Sequence, residues 1–255
     1  MVLTDTHTHL YLDEYKEDVH QVISKAIQNN VEYFLMPNID SSTIKRMNSL
    51  CNEYPGKIFP MIGLHPTSVK ENYLDELAII KKELKKRKYY AIGEIGIDLY
   101  WDKTYSKEQE YALRYQMALG NEFDLPIVIH TRSSFDEAIE VLKDEYNEKS
   151  KGIFHCFGGT YEQAMDIIEM DFFLGIGGVV TFKNSGIDKV IEHVDLEHIL
   201  LETDAPYLTP SPYRGMRNES SYLPLIAHKI AELKRVTIEE VAEVTTRNAR
   251  KLFNF

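Results

Sequence analysis

Cysteine is scarce: Cys51 and Cys156 are the two in the chain. Two are too few for a disulfide framework, and their spacing matches no zinc motif. A reducing compartment, the cytoplasm, is the expected setting. No apolar run approaches the roughly 20 residues needed to cross a bilayer, so no membrane partner is expected. No basic region precedes an apolar stretch at the N-terminus, and Asp5 interrupts where that stretch would lie. A secretory signal is therefore not expected. Positive charge is also in deficit, with 29 Lys and Arg against 40 Asp and Glu and a net charge of −11. Broad, non-specific attraction to nucleic acid depends on phosphate contacts and does not suit such a surface. A nuclease is still allowed, because bound divalent cations bring positive charge to the site itself. A G-x-x-x-x-G-K-[ST] loop, a glycine-rich first turn, short repeats and long Gly/Ser/Pro linkers are all missing. The "GIGG" run at Gly175–Gly178 reads as a sharp turn after a strand.

What is present is an alternation. Short β-branched or apolar runs read as strands: "MVLTDT", "VEYFLMPN", "KIFPMIGL", "YYAIGEI", "LPIVIH", "GIFHCF", "FFLGIGG" and "HILLETD". Helix-like periodicity fills the intervals at 16–29, 41–53, 72–87, 106–123, 134–146, 160–170 and 185–193, and returns near 221–234 and 238–252. Ser106 with Gln109, and Thr237 with Glu240, fit the capping-box spacing of a helix start. "ELKKRKYY" suits the C-terminal end of a helix dipole. Eight strand–helix units in 255 residues predict an α/β chain folded as one closed (β/α)8 TIM barrel over residues 1–255. A doubly wound open sheet is the alternative, and "TDTHTHL" is not its usual first turn.

In such a barrel the chemistry sits at the C-terminal ends of the strands. Strand one ends in His7 and His9, which share a face if the chain is extended, because the side-chain period of a strand is two. Strand three ends in His65, strand four in Glu94 and Asp98, and strand five in His130 and Arg132. Strand six ends in His155, and strand eight in Glu202 and Asp204. His20, His193 and His228 fall in or near helix-like stretches. Buried ionisable groups need partners, and a metal is a partner for several at once. His7, His9, Glu94, His130, His155 and Asp204 offer four imidazoles and two carboxylates, more than one catalytic ion takes from protein. Two divalent ions bridged by Glu94 are expected, one with His7, His9 and Asp204, the other with His130 and His155. Imidazole-rich ligation favours Zn, Mn, Co or Ni, and Mg is also considered.

The motifs "DTHTHL", "GLHP", "IGEIGIDLYWD", "PIVIHTR", "FHCFGG" and "LLETDAPYLTP", in this order, resemble those of the TatD family of metal-dependent deoxyribonucleases, within the amidohydrolase-like barrels. The resemblance runs from residue 3 to the C-terminus. It implies a TIM barrel with divalent metals and hydrolysis of DNA phosphodiesters, and it carries over the same six ligands. Two positions depart from the family pattern: Tyr11, where many members have Asn or Asp, and Thr67, where many have a second histidine. Neither is expected to touch a ligand.

Within that reading Glu94 and Asp204 are the catalytic carboxylates. Glu94 holds two ions at working separation, and Asp204 accepts the proton of the attacking water. His65 is expected either to bind a phosphate oxygen as an imidazolium or to cap the loop before Pro66, with substrate contact favoured, and Arg132 and Arg214 are expected to contact substrate. Glu202 is a candidate to orient a ligand histidine, and Asp5 is either similar or part of a buried hydrogen-bond network. Tyr100 and Trp101 could stack on an unpaired base, which points to single-stranded DNA or frayed 3′ ends. Cys156 alternates with His155 and is expected to face the helices. The alternative activities are deacylation of D-aminoacyl-tRNA and hydrolysis of a small-molecule amide on the same metals. A barrel that has lost its chemistry would lack one or more ligand positions, and all six are filled.

Overall fold

The computed structural model describes residues 1–255. Eight strands run in order: β1 (Leu3–Asp5), β2 (Val31–Met36), β3 (Ile58–Pro60), β4 (Ile92–Asp98), β5 (Ile127–Arg132), β6 (Gly152–Phe154), β7 (Phe172–Ile176) and β8 (Ile199–Leu201). Every pairing is parallel, β1-β2-β3 on one side and β4-β5-β6-β7-β8 on the other. Backbone hydrogen bonds join the two groups at both seams. Ile62 donates to Ala91 at 3.1 Å and Gly93 to Ile62 at 2.8 Å; Thr6 donates to Leu201 at 3.0 Å and Asp204 to His7 at 2.9 Å. The result is a closed α/β barrel, in agreement with the expected (β/α)8 architecture.

Helices follow the strands: α1 (Val19–Gln28), α2 (Ile44–Glu53), α3 (Tyr73–Leu84), α4 (Ser106–Phe123), α5 (Phe135–Glu145), α6 (Tyr161–Glu169), α7 (Ile187–His193), α8 (Leu223–Lys234) and α9 (Ile238–Phe253). None is long and apolar enough to cross a membrane. Side-chain alternation divides the buried residues between two faces of the barrel wall. Phe34, Met36, Ile127, Ile129, Phe154, Ile199 and Leu201 point outward, into the main core against the helices. Their neighbours Leu35, Val128, Ile153 and Leu200 point inward with Phe59, Met61 and Ala91, where Ala249, Leu252 and Phe253 of α9 close the N-terminal mouth. Each large apolar side chain so buried contributes roughly 1.5–3 kcal/mol.

The expected helix starts divide. Thr237 caps α9 by accepting from the Glu240 amide at 3.1 Å. Ser106 does not cap α4: Tyr105 occupies that position without a side-chain bond. Gln109 is instead buried, with its Oε1 accepting from the Asp98 amide at 2.8 Å. It ties α4 to the end of β4, and tertiary packing there overrides local capping. A complete capping box occurs at Thr160 and Gln163, at the start of α6.

Candidate metal centre

The site lies at the C-terminal end of the barrel. β1 stops at Asp5, the chain bends at Thr6 and His7, and Thr8 then bridges Ala205 in parallel register, which fixes the segment at the barrel mouth. His7 and His9 therefore both enter the mouth, their Nε2 atoms 3.2 Å apart. β4 is buried along its whole length and carries a bulge against β5 between Ile92 and Ile95. Such a bulge re-aims a side chain, here Glu94. Gly96 permits the close approach of β4 to β5: its φ is +146°, and a Cβ there would stand 2.0 Å from the His130 carbonyl oxygen.

Glu94 is the hub. Its Oε2 lies 3.1 Å from His7 Nε2 and 3.6 Å from His9 Nε2. Its Oε1 lies 2.8 Å from His130 Nδ1, 3.5 Å from His155 Nε2 and 3.4 Å from His65 Nε2. Asp204 Oδ1 stands 3.8 Å from His7, 3.6 Å from His9 and 4.0 Å from His155. The His155 ring also stacks on His7 at 3.5 Å between centroids. Three triads offer donor atoms close enough to share an ion: His7–His9–Glu94, His7–His155–Asp204 and His65–Glu94–His130.

A divalent cation fits this donor set. Two nitrogens bound to one tetrahedral zinc are about 3.3 Å apart by the usual bond lengths, close to the spacing of His7 and His9. Burial opposes ionisation of Glu94 and Asp204, yet the surrounding imidazoles hold both carboxyls below their usual range, Glu94 well below. Burial likewise opposes charge on His155, but Glu202, Glu94 and Asp204 outweigh it and raise the imidazole to about 10. His130, buried between Glu94 and Asp98, is also raised despite its burial. The carboxylates thus draw positive charge into the mouth, whether as protons or as metal.

Behind the donors lies a second set of contacts. Asp98 Oδ2 is 3.0 Å from His130 Nε2, leaving Nδ1 to face Glu94. Glu202 Oε1 is 3.0 Å from His155 Nδ1 and accepts from the Cys156 amide at 2.6 Å. Gly175 makes room for that carboxylate, since a Cβ there would be 2.4 Å from Glu202 Oε2. Asp5 accepts from the Thr203 amide and hydroxyl at 2.9 and 2.6 Å, and burial pushes its carboxyl up to about 7. It sits in the buried hydrogen-bond network that places the segment carrying Asp204. The sequence places Asp98 at the end of β4 without giving it a task; its even separation from Glu94 on that strand is the signal that links the two.

The cavity above these groups is about 660 Å³ and is lined by His65, Trp101, Arg132, Cys156 and Tyr207, among others. The Thr67 amide donates to His65 Nδ1 at 3.1 Å, so a neutral His65 carries its proton on Nε2, toward Glu94. Burial pushes this imidazole below its usual range, which disfavours the imidazolium expected from sequence. Arg132 has no carboxylate partner; its guanidinium lies 4.0 Å from the Tyr100 ring centroid and 5.0 Å from that of Trp101. Both rings are exposed, at 58 % and 68 %. Arg214 stands outside the cavity lining, stacked 4.1 Å from the Phe182 centroid. Arg217 is taken up by Asp18 at 2.6 Å.

Two further expectations are corrected. Cys156 lines the cavity, because β6 ends at Phe154 and the φ of +49° at Cys156 breaks the strand alternation. Tyr11 does touch a proposed ligand: its Oη is 3.1 Å from His9 Nδ1. Thr67, the other departure, contacts His65, with Oγ1 at 2.7 Å from Nδ1.

A parallel α/β barrel with imidazoles and carboxylates gathered at the C-terminal ends of its strands is the architecture of a metal-dependent hydrolase. Residues 4–254 match the family model described as TatD related DNase, and the chain belongs to the TatD family. It is 42 % identical over 253 residues, covering 99 % of both chains, to the metal-dependent hydrolase YabD of Bacillus subtilis. It is 29 % identical over 255 residues, covering 98 % of both, to the 3′-5′ ssDNA/RNA exonuclease TatD of Pantoea ananatis. The crystal structure of YjjV, a TatD homolog of Escherichia coli, superposes with a TM-score of 0.93 at 27 % identity, covering 99 % of this chain and 98 % of that one.

Proposed function

We propose that residues 1–255 act as one hydrolase unit on DNA phosphodiesters, trimming single-stranded or frayed 3′ ends with two divalent ions. The observation that carries this reading is the position of Glu94: its two oxygens face two different sets of histidines. A carboxylate so placed would be able to hold two cations. His7, His9, Glu94 and Asp204 would hold one ion, and Glu94, His130 and His155 the other. Mg, Mn, Zn, Co and Ni are all candidates, with the imidazoles favouring the later metals. Ions bound there supply positive charge to a phosphoryl oxygen and lower the pKa of water.

The protein's own groups do the rest. Asp204 takes the proton of the attacking water. His65 offers its Nε2 proton to a phosphate oxygen, and Arg132, free of carboxylates, grips the next phosphate. Arg214, on the loop that follows β8 and outside the cavity lining, would contact a more distant phosphate. The exposed Tyr100 and Trp101 give unpaired bases a surface on which to stack. The exonuclease name of the Pantoea relative supports the same substrate class. Both cysteines are free, in keeping with action in the reducing cytoplasm.

The test uses oligonucleotides, single-stranded and duplex, linear with a 5′ label and circular with an internal label, with each metal and with a chelator. Metal-dependent shortening from the 3′ end, faster on single strands, is expected. Equal rates on circular and linear duplex would contradict end trimming. Release of the amino acid from charged D-aminoacyl-tRNA without DNA cleavage would move the assignment to deacylation, and hydrolysis of small amides alone would move it to an amidohydrolase.

A further inference from the structure

Tyr11 is buried, with 2 % of its surface exposed, beside the proposed ligand His9. Its phenol has one hydrogen to give. That hydrogen goes to the Pro37 carbonyl, which can only accept, at 2.6 Å. Toward His9 Nδ1, at 3.1 Å, Tyr11 Oη therefore presents lone pairs alone. A hydrogen bond on that side requires the proton to be on His9 Nδ1. The Nε2 of a neutral His9 is then bare, 3.2 Å from His7 Nε2 and 3.6 Å from both Glu94 Oε2 and Asp204 Oδ1.

We infer that Tyr11 is a positioning residue that fixes His9 as the Nδ1–H tautomer and so turns a free Nε2 lone pair toward the metal position. The anchor is shared with the hub of the site. Pro37 directly precedes Asn38, whose amide donates to Gly93 at 3.1 Å and whose carbonyl accepts from the Glu94 amide at 3.2 Å. The end of β2 thus holds the Glu94 backbone and, through Tyr11, the His9 ring. His65 shows the opposite arrangement: the Thr67 amide donates to its Nδ1, so its proton faces the site. Two neighbouring imidazoles are thereby given different tasks by what stands behind them, a lone pair from His9 and a proton from His65.

This inference rests on the reading that His9 is a ligand, and its test separates the two. Long-range nitrogen–proton NMR on metal-free full-length protein, with 15N-labelled histidine at a pH where His9 is neutral, reports the tautomer directly. The expected wild-type pattern is Nδ1–H; an Nε2–H pattern overturns the inference. Tyr11→Phe removes only the hydroxyl. It is expected to shift His9 toward Nε2–H and to weaken Mn2+ binding, measured by calorimetry, by about 10–100-fold, the usual cost of losing a ligand's supporting contact. An unchanged His9 pattern with unchanged Mn2+ affinity overturns the inference. If Tyr11→Phe does not fold, the wild-type spectrum still decides. If the wild type takes up no Mn2+, the metal reading has failed, while the nitrogen spectrum continues to decide the tautomer.

Discussion

The two ends of the barrel interior are built by the same pleat and filled with opposite chemistry. At the N-terminal end, Leu35, Val128, Ile153 and Leu200 point inward and α9 seals them with Leu252 and Phe253. At the C-terminal end, the same inward direction brings in His7, Glu94, His155 and Glu202, all nearly inaccessible to solvent. The lower end is mostly apolar, and its buried polar groups are paired: Thr4 donates to Thr246 at 3.2 Å and Asn248 to the Ile199 carbonyl at 3.1 Å. The upper end contains buried polar atoms without hydrogen-bond partners, among them His7 Nδ1 and Glu202 Oε2. Burying such groups is costly, so the apolar end stabilises a frame within which the polar end can be held. Stability and chemistry are thus separated along one axis, and substitutions at the two ends should have separable effects.

The largest effect is expected from Glu94→Gln. It removes the charge facing both histidine sets and should reduce metal-dependent hydrolysis to background with or without added metal. The urea midpoint should change little by comparison. Near-wild-type cleavage by this variant would break the contrast. Phe253→Ala should do the reverse. It opens a cavity at the sealed end and should cost about 3–5 kcal/mol in urea unfolding, while the folded fraction keeps its turnover number. A large fall in turnover with intact stability would show that the ends are not independent.

Two smaller effects sharpen the picture within the mouth. Glu202→Gln removes the carboxylate behind His155 and should lower metal affinity by about 10–100-fold, read by calorimetry, with the fold retained. Arg132→Ala should raise KM for single-stranded oligonucleotides about fivefold, equivalent to roughly 1 kcal/mol of surface stacking and charge. Its turnover number should hold, since the guanidinium lies at the rim with Tyr100 and Trp101. A changed turnover with constant KM would place Arg132 at the reacting phosphate instead.

The barrel was legible because alternation and helical periodicity are local signals. The positions of His7, Glu94, His130, His155 and Asp204 followed from asking which polar residues end strands. What stayed hidden depends on three-dimensional detail. Gln109 looked like a capping residue, but its amide is consumed by the end of β4. Cys156 looked outward until a positive φ broke the strand count. Tyr11 appeared remote from the ligands, yet its hydroxyl reaches His9 because the chain turns at residues 10–12 and brings it over Pro37. Spacing along a sequence shows which face a side chain leaves from. It does not show whether a donor or an acceptor waits behind an imidazole, and that decides whether the ring offers a lone pair or a proton.

The most direct test of the proposed two-ion site is anomalous diffraction from crystals grown with Mn2+. Two peaks are expected on either side of the Glu94 carboxylate, one within bonding distance of Nε2 of His7 and His9, the other within bonding distance of Nδ1 of His130. Peaks elsewhere, or an empty mouth in protein that hydrolyses DNA under the same conditions, would contradict it.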